Sequence, residues 1–344
     1  MKKLTLSALL LAATVLTSAV QAQVINGDLN HNQDLDVEDV TLLIDGYLTG
    51  ETEVINATSN PFEADNSQIV GTWYKLETER MESITFREDG TTDYLGGYNY
   101  QYLPMQGRVF FFNSKGEPIS TTLHVQYVTS QYLAILPAGS DNAVFYTSTD
   151  NYNNGYKYVD LGLSVKWATT NVGANAPEEY GDYFAWGETE PKSTYSWENY
   201  KWCNGSETTM TKYCTDSDYG TVDNRTTLEL SDDAARANWG GTWRIPTRDE
   251  FTELRTKCTW EWTSLNGVYG RKVTGPNGNS IFLPAAGYRS GSSLSDAGGY
   301  GYYWSSSLYT GYPRYGQLLY FYSSNFYMTY SYRCNGRSVR AVCQ

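Results

Sequence analysis

Residues Tyr158–Gly173 read YVDLGLSVKWATTNVG, and this stretch opens a series of aromatic-rich blocks in the C-terminal half of the chain. The block Tyr183–Thr189 follows with the sequence YFAWGET. Further blocks are WRIPT at Trp243–Thr247, LPAAGYR at Leu283–Arg289, YWSSS at Tyr303–Ser307 and GRSVRAV at Gly336–Val342. These blocks extend over nearly all of residues 156–344, so we predict one domain over residues 150–344.

Two helices are predicted within this domain. Thr247 and Glu250 form a capping box, and Phe251 and Leu254 continue it as an apolar stripe with helical spacing. A shorter helix is predicted over Ser231–Trp239, with Ser231 as its N-cap and Gly240-Gly241 at its end. The rest alternates short strands with Gly- and Asn-bearing turns, which predicts an α+β domain.

The order and content of these blocks resemble the Fibrobacter succinogenes major paralogous domain family. The resemblance implies a C-type-lectin-like fold, related to formylglycine-generating enzymes and to the variable proteins of diversity-generating retroelements. It implies a fold and not a sugar-binding activity, because the Glu-Pro-Asn and Trp-Asn-Asp calcium triplets of sugar-binding lectins are absent.

Residues 68–149 predict a small all-β domain, a barrel or a sandwich. Short β-rich runs alternate with turns such as Asp89-Gly90. The predicted strands are Ile69–Tyr74, Glu82–Phe86, Tyr98–Leu103, Val109–Asn113, Thr122–Val128, Tyr132–Leu136 and Val144–Thr147. The Gly71-Thr72-Trp73 entry resembles lipocalin-like domains of exported bacterial proteins, which implies a Trp that closes one barrel end. A spacer and a ligand-holding barrel both remain open.

Residues 51–67 are polar and predict a linker, and residues 23–50 carry a loop of oxygen-bearing side chains. The spacing suits a single weak Ca²⁺ site, with ligands Asp28, Asn30, Asn32, Asp34, Asp36 and Asp39. The loop and its following helix resemble one repeat of a type I dockerin, which implies a cohesin-like partner. Gln33 stands where Gly normally permits the turn, and only one repeat is present. A solvated acidic loop without an ion is the alternative.

The N-terminus predicts export. Lys2 and Lys3 precede the apolar run Leu4–Val20, and Val20-Gln21-Ala22 suits signal peptidase, so residues 1–22 are a predicted signal peptide. No Cys sits at the cleavage point, so a lipid anchor is not expected and the protein is secreted or at the cell surface. The net charge of −13 argues against nucleic acid as a partner, and no membrane insertion is expected.

Composition argues against catalysis. The two histidines are His31, in the calcium loop, and His124, in the β domain, so the large domain has no His relay. Two carboxylate pairs remain, Glu188 with Glu190 and Asp232 with Asp233. We interpret Glu188 and Glu190 as part of a structural signature of the family. Asp232 and Asp233 are placed in a helix first turn.

The five cysteines leave two alternatives open. Tyr332-Arg333-Cys334 resembles the catalytic stretch of formylglycine-generating enzymes, but the second cysteine that this chemistry needs is replaced by Thr329. Cys203 and Cys214 are candidates for a local disulfide, and buried free thiols are the alternative.

Tyrosine is concentrated near the C-terminus, whereas Lys, Glu and Asp are absent after Gly298. The tyrosines from 300 to 332 are Tyr300, Tyr302, Tyr303, Tyr309, Tyr312, Tyr315, Tyr320, Tyr322, Tyr327, Tyr330 and Tyr332. We expect Tyr320 and Tyr322 on one strand face with Phe321 packed inside, and Tyr330 and Tyr332 likewise on one face.

Tyr, Ser, Gly and Asn are the residue types enriched in antibody combining sites. The resemblance to retroelement variable proteins implies a binding face just before the closing block Arg333–Arg340. Departures from the ordinary family pattern predict its members: Leu308, Thr310, Gly311, Tyr312, Arg314, Tyr322, Asn325, Tyr327, Tyr330 and Tyr332.

Three classes of function follow from the sequence. The first is an adhesin- or receptor-like protein that binds a protein or glycan on another cell or surface. The second is an enzyme of the formylglycine-generating type or a dockerin-bearing component of an extracellular carbohydrate-processing assembly. The third is a structural surface-layer or pilus protein.

Overall fold

The computed structural model describes residues 64–76 and 78–344, and the chain forms two compact units. The first unit contains the described residues up to Thr78 together with residues 82–150, and the second contains residues 79–81 and 151–344. Sheets predominate and helices are few, which confirms the prediction of a β-rich multidomain protein. No helix among the described residues is long and apolar enough to span a bilayer.

Several predictions from the sequence concern residues outside the described part. The signal peptide over 1–22, the calcium loop and helix over 23–50, and the linker as far as residue 63 belong to this group. The predicted metal ligands Asp28 to Asp39 lie there as well.

The first unit is a closed antiparallel barrel in which each strand pairs with the next and β8 pairs with β1. Its strands are β1 Gly71–Lys75, β2 Ser83–Phe86, β3 Thr91–Thr92, β4 Tyr98–Leu103, β5 Arg108–Phe112, β6 Pro118–Val128, β7 Tyr132–Leu136 and β8 Val144–Thr147. The bounds of β4, β7 and β8 are those predicted from hydrophobic runs and turn residues.

Side-chain alternation explains the closed barrel. Inward positions such as Phe86, Tyr100, Phe111 and Leu123 are buried, and together they fill an interior of the width that eight strands enclose. Trp73 is 3% exposed, and its Nε1 donates to the carbonyl of Ile69 at 2.8 Å.

The barrel unit begins earlier in the chain than the sequence suggests. Asp65 N–H donates to the Tyr102 carbonyl at 2.9 Å, and Asn66 Oδ1 accepts from the Tyr102 N–H at 2.8 Å. Residues 65–67, which the composition assigns to the linker, are therefore part of this unit. Residues 79–81, by contrast, belong to the second unit, because Lys157 N–H donates to the Glu79 carbonyl and Met81 N–H to the Gly155 carbonyl.

The second unit combines small antiparallel sheets with two short helices. The sheets have the strand orders β20-β11-β10-β9, β12-β13-β14, β15-β16 and β17-β18-β19. The strands are β9 Tyr152–Asn153, β10 Tyr156–Val159, β11 Lys166–Ala168, β12 Thr259–Leu265, β13 Val268–Thr274, β14 Ser280–Pro284, β15 Tyr288–Ser290, β16 Ser293–Ser295, β17 Gly301–Leu308, β18 Tyr315–Phe321, β19 Phe326–Tyr332 and β20 Val342–Cys343. The helices are α1 Ala234–Trp239 and α2 Arg248–Lys257.

The capping box predicted for α2 is confirmed. Thr247 and Glu250 exchange side-chain bonds with each other's backbone N–H, and Phe251 and Leu254 are fully buried. The N-cap predicted for α1 is wrong. Asp233, not Ser231, caps α1 by accepting from the Arg236 N–H at 3.0 Å, and Ser231 lies in a preceding 3₁₀ turn. Asp233 is held in the capping position because its second oxygen also accepts from the Ile245 N–H at 2.7 Å, a contact between residues distant in sequence.

The aromatic-rich blocks lock together through buried indoles. Trp186 Nε1 donates to the Ser305 carbonyl, and Trp304 Nε1 donates to the Phe184 carbonyl, each at 2.8 Å. Because each bond satisfies a polar indole atom inside an apolar core, the two blocks are held in one relative position.

Two fully buried arginines near the C-terminus complete this core. Arg333 donates to the carbonyls of Lys212, Tyr213 and Pro313 at 3.0–3.1 Å and to the Tyr200 hydroxyl at 2.8 Å. Arg340 donates to Asn171 Oδ1 and to three backbone carbonyls, those of Ala168, Thr169 and Phe282, at 2.9–3.1 Å. Burial lowers the pKa of Arg340 to about 10, so it is charged at neutral pH. Each guanidinium thus joins segments that are far apart in sequence.

Replacing Arg340 with Lys should destabilise the second unit by about 3 kcal/mol or more. One ammonium cannot reach four acceptors arranged around a planar fork, and each acceptor left buried without a donor costs about 1–3 kcal/mol. Urea unfolding followed by tryptophan fluorescence measures this, because Trp73 alone of the ten Trp lies outside the second unit. The matched control is Arg225→Lys, at a side chain that is about half exposed. Equal free energies of unfolding for the two variants would contradict the structural role assigned to Arg340.

Candidate functional site

The sheet β17-β18-β19 carries most of the tyrosines, and its register separates them onto two faces. Tyr315 lies opposite Tyr332, and Tyr320 lies opposite Tyr327. Directly opposed residues share a face and successive residues alternate. Tyr330 and Tyr332 are therefore on one face, as predicted, whereas Tyr327 is on the other.

The first tyrosine cluster consists of Tyr309, Tyr312, Tyr315, Tyr330 and Tyr332. The rings of Tyr309 and Tyr330 stack with centroids 4.1 Å apart, and Tyr315 lies 5.0 Å from Tyr330 and 4.9 Å from Tyr332. Tyr312, Tyr330 and Tyr332 are 47%, 45% and 39% exposed. The cluster is therefore a set of mutually supported rings that open to solvent.

Arg314 lies within the first tyrosine cluster. Its guanidinium carbon is 5.1 Å from the Tyr315 ring centroid and 5.7 Å from that of Tyr312. Its Nη1 is 2.8 Å from Glu207 Oε1, in a partly exposed ion pair. A cation near several ring faces stabilises their arrangement and offers planar donors to a ligand.

The turn between β17 and β18 is anchored to the protein interior by the buried Arg333. Tyr309 N–H donates to the Tyr315 carbonyl at 3.0 Å, which closes the turn. Arg333 Nη1 donates to the carbonyl of Pro313, within the same turn. Thr310 and Gly311 are exposed at its tip. The rings of the first cluster therefore project from a fixed backbone.

Residues from earlier in the chain complete the cluster. The Trp197 ring lies 5.8 Å from Tyr332, and the Tyr219 ring lies 6.2 Å from Tyr312. Sequence reasoning missed Trp197, Glu207 and Tyr219, because only the fold brings them near the C-terminal strands. It also omitted Tyr309 and Tyr315, although their place in the tyrosine-rich stretch was a usable signal.

The second tyrosine cluster consists of Tyr300, Tyr302, Tyr320, Tyr322 and Tyr327. Its ring centroids are 4.9–6.0 Å apart. The prediction that Tyr320 and Tyr322 share a face is supported by their 5.7 Å ring contact, and Phe321 is fully buried as expected.

A buried cation lies against the second tyrosine cluster. The guanidinium carbon of Arg337 is 4.5 Å from the Tyr302 ring centroid and 4.1 Å from that of Tyr288, and its Nη2 donates to Ser331 Oγ at 2.6 Å. Burial lowers the pKa of Arg337 to about 10. The Arg337 guanidinium is thus stabilised by two ring faces and a hydroxyl, where a buried cation usually pairs with a carboxylate.

The ten predicted site residues do not form one surface. Thr310, Gly311, Tyr312, Arg314, Tyr330 and Tyr332 lie in or beside the first cluster, whereas Tyr322 and Tyr327 belong to the second. Asn325 is exposed in the β18–β19 turn, where its Oδ1 accepts from the Phe326 N–H. Leu308 is a correction, because at 1% exposure it packs in the apolar core with Trp304 and Leu318.

The five cysteines are free thiols in the structure. This agrees with the alternative of free thiols and not with a Cys203–Cys214 disulfide. Cys203 and Cys214 are buried, and their sulfurs donate to the backbone carbonyls of Trp197 and Asp216. Cys334 is 4% exposed, and burial raises the pKa of its thiol to about 12.

Three of the four paired carboxylates are committed to structural contacts. Glu188 lies 2.9 Å from Lys192 Nζ and accepts from the Lys201 N–H at 2.7 Å. Asp232 accepts from Lys212 Nζ and from the Tyr213 hydroxyl at 2.5 and 2.6 Å. The prediction that the Asp pair occupies one helix first turn is corrected, because Asp232 lies in the 3₁₀ turn Leu230–Asp232 and Asp233 is the N-cap of α1. Over residues 64–76 and 78–344, no three His, Cys, Asp or Glu side chains are grouped to hold a metal ion.

The barrel unit has a cleft of about 430 Å³ beside Trp73. Ser67, Thr72, Thr129 and Ser148 are among the lining residues. Their hydroxyls already bond to the Asp65 carboxylate, the Thr85 hydroxyl, the Tyr132 N–H and the Ser130 carbonyl, respectively. The cleft therefore has fewer polar groups available to a ligand than its lining suggests.

The first tyrosine cluster and Arg314 offer ring faces, phenol hydroxyls and one guanidinium to a ligand. No family model, curated protein or solved structure matches the chain.

Proposed function

We propose that the chain is an exported, non-enzymatic binding protein of the adhesin or receptor type. Its second unit, which we propose to be C-type-lectin-like, recognises a protein or glycan on another cell or surface through the first tyrosine cluster. The observation that carries this proposal is the packing of five tyrosine rings and Arg314 into one partly exposed group with ring separations of 4.1–6.4 Å.

The arrangement favours binding because its rings are preorganised. A Tyr side chain has two rotatable angles, and rings that already pack on each other lose little entropy when a ligand settles on them. Tyr and Arg are also the residue types enriched among those that dominate binding energy. The exposed turn at Thr310 and Gly311 adds backbone donors and acceptors beside the rings.

The environment of Cys334 supports a non-enzymatic role. Thiol chemistry needs the thiolate, and a buried thiol with a raised pKa is protonated at neutral pH. The position of the second cysteine required by formylglycine-generating chemistry is Thr329, a strand residue of β19. The paired carboxylates Glu188 and Asp232 are engaged by lysines, which removes them as free acids or bases.

We assign supporting roles to the N-terminal parts of the chain. The barrel acts as a lipocalin-like spacer, because its interior is filled by its own side chains. The loop Asp28–Asp39 holds Ca²⁺ and contributes to assembly.

Removing two rings of the first cluster should abolish recognition. In a glycan and protein array, Tyr330→Ala/Tyr332→Ala should bind its best hit about a thousandfold more weakly than the parent protein, since central aromatic residues contribute about 2 kcal/mol or more each. Tyr322→Ala/Tyr327→Ala is the matched control on the opposite face and should bind within about threefold of the parent. The reverse ranking would place recognition on the second cluster and contradict the proposal.

Calcium titration tests the loop separately. Isothermal titration should show one site with a dissociation constant of about 10⁻⁵–10⁻³ M, weak because Gln33 replaces the turn glycine. The variant Asp28→Ala/Asp39→Ala should lose the heat of binding, whereas Asp141→Ala, an exposed carboxylate of the barrel unit, should retain it. Undiminished binding in the double variant would show that these residues are not ligands.

A further inference from the structure

Strand β19 forms an edge of its sheet. The strand order is β17-β18-β19, and within residues 64–76 and 78–344 no further strand pairs with β19. Its partner side is occupied over the whole strand, from Tyr315 opposite Tyr332 to Phe321 opposite Phe326. The other side presents a row of backbone groups.

The hydrogen bonds at the two ends of the β18–β19 ladder identify those groups. Arg333 N–H donates to the Arg314 carbonyl, and Tyr322 N–H donates to the Asn325 carbonyl. Bonding alternates along an antiparallel strand, so the odd-numbered residues of β19 bond to β18. The N–H and C=O groups of Met328 and Tyr330 therefore point away from the sheet.

Strand β19 itself carries none of the sequence features that prevent strand pairing. Exposed edges are normally blocked by Lys, Pro, a bulge or an inward-pointing charge. Residues Phe326–Tyr332 read FYMTYSY, with no charged residue, Pro or Gly, and the β18–β19 register is unbroken. The outer strand β12, by comparison, carries Glu261.

We propose that β19 pairs antiparallel with β19 of a second copy of the chain, about a two-fold axis that passes beside Thr329. This register places Met328 opposite the partner's Tyr330, so that these two residues exchange both N–H···O bonds on each side of the axis. Tyr327 then lies opposite the partner's Ser331, and Thr329 lies opposite the partner's Thr329. The two three-stranded sheets become one sheet of six strands.

Charge and symmetry indicate that the partner of the β19 edge is a second copy of the chain. Two chains of net charge −13 repel each other, but the segment after Gly298 contains no Asp or Glu, so β19 is a place where two copies meet without opposed carboxylates. An isologous two-fold contact requires a surface that complements itself, and this register brings Met next to Tyr and Thr next to Thr.

The interface and the ligand surface use different groups. Pairing uses the backbone groups along the outer edge of β19, with the Tyr330 ring beside the partner's Met328, whereas recognition uses the ring faces of the whole first tyrosine cluster. Self-association is therefore measured without any ligand, and its outcome is separate from that of the binding assay.

A charge swap at Thr329 tests the proposal. Thr329 is half-buried and lies opposite itself across the axis, so Thr329→Lys and Thr329→Glu each place like charges face to face. Sedimentation velocity of the full chain should show a dimer for the parent and an about tenfold or greater rise in the dissociation constant for either variant. An equimolar mixture should restore the dimer. Ser324→Lys, the same change in the exposed β18–β19 turn, should remain dimeric.

A backbone pair of variants supplies a second measurement. Tyr330→Pro removes an N–H that bonds to no group within residues 64–76 and 78–344, a change that edge strands tolerate. Tyr330→Ala keeps that N–H and removes only the ring. The Pro variant should be monomeric and the Ala variant dimeric, with matching circular dichroism. A monomeric parent, charge variants that self-associate like the parent, or a mixture that stays monomeric would overturn the proposal.

Discussion

The second unit depends on positive charges that are buried without carboxylate partners. Arg333 and Arg340 lie seven positions apart in the closing segment, and both are fully buried. Each spreads its donors over acceptors from distant segments, mostly backbone carbonyls. A charge in such a position is tolerated only when its donors are satisfied, so the fold has to bring those carbonyls together. This requirement acts together with apolar packing to hold the short strands and few helices of this unit in place.

The same constraint positions the candidate site. Arg333 follows β19 directly and bonds to Pro313 in the β17–β18 turn, to Tyr200 and to the backbone near Tyr213. The residues that flank the first tyrosine cluster, Trp197 and Tyr219, lie on these tethered loops. A binding surface made from irregular segments thus obtains a rigid base, which is what recognition by preorganised rings requires.

Local signals were sufficient for much of the fold. The capping box at Thr247 and Glu250 and the strands Tyr98–Leu103 and Tyr132–Leu136 follow from patterns that neighbouring residues determine. The predictions that needed correction depend on distant contacts. Asp233 became the N-cap of α1 through its bond to Ile245, and Leu308 was drawn into the core beside Trp304. The sequence predicts only part of the division of the tyrosines between two faces. Alternation shows which residues of β19 share a face, but which residues of β18 they lie opposite depends on the register between the two strands. No sequence pattern could place Glu207 beside Arg314, more than a hundred residues away.

Amide hydrogen–deuterium exchange of the full chain, free and bound to its best array hit, locates the ligand-binding surface. We expect slower exchange on binding in residues 309–315, which contain three members of the first tyrosine cluster, and around Tyr219, which flanks it. Both segments lie apart from the β19 edge. Exchange that slows only within the barrel residues 82–150, with residues 309–315 unchanged, would contradict it.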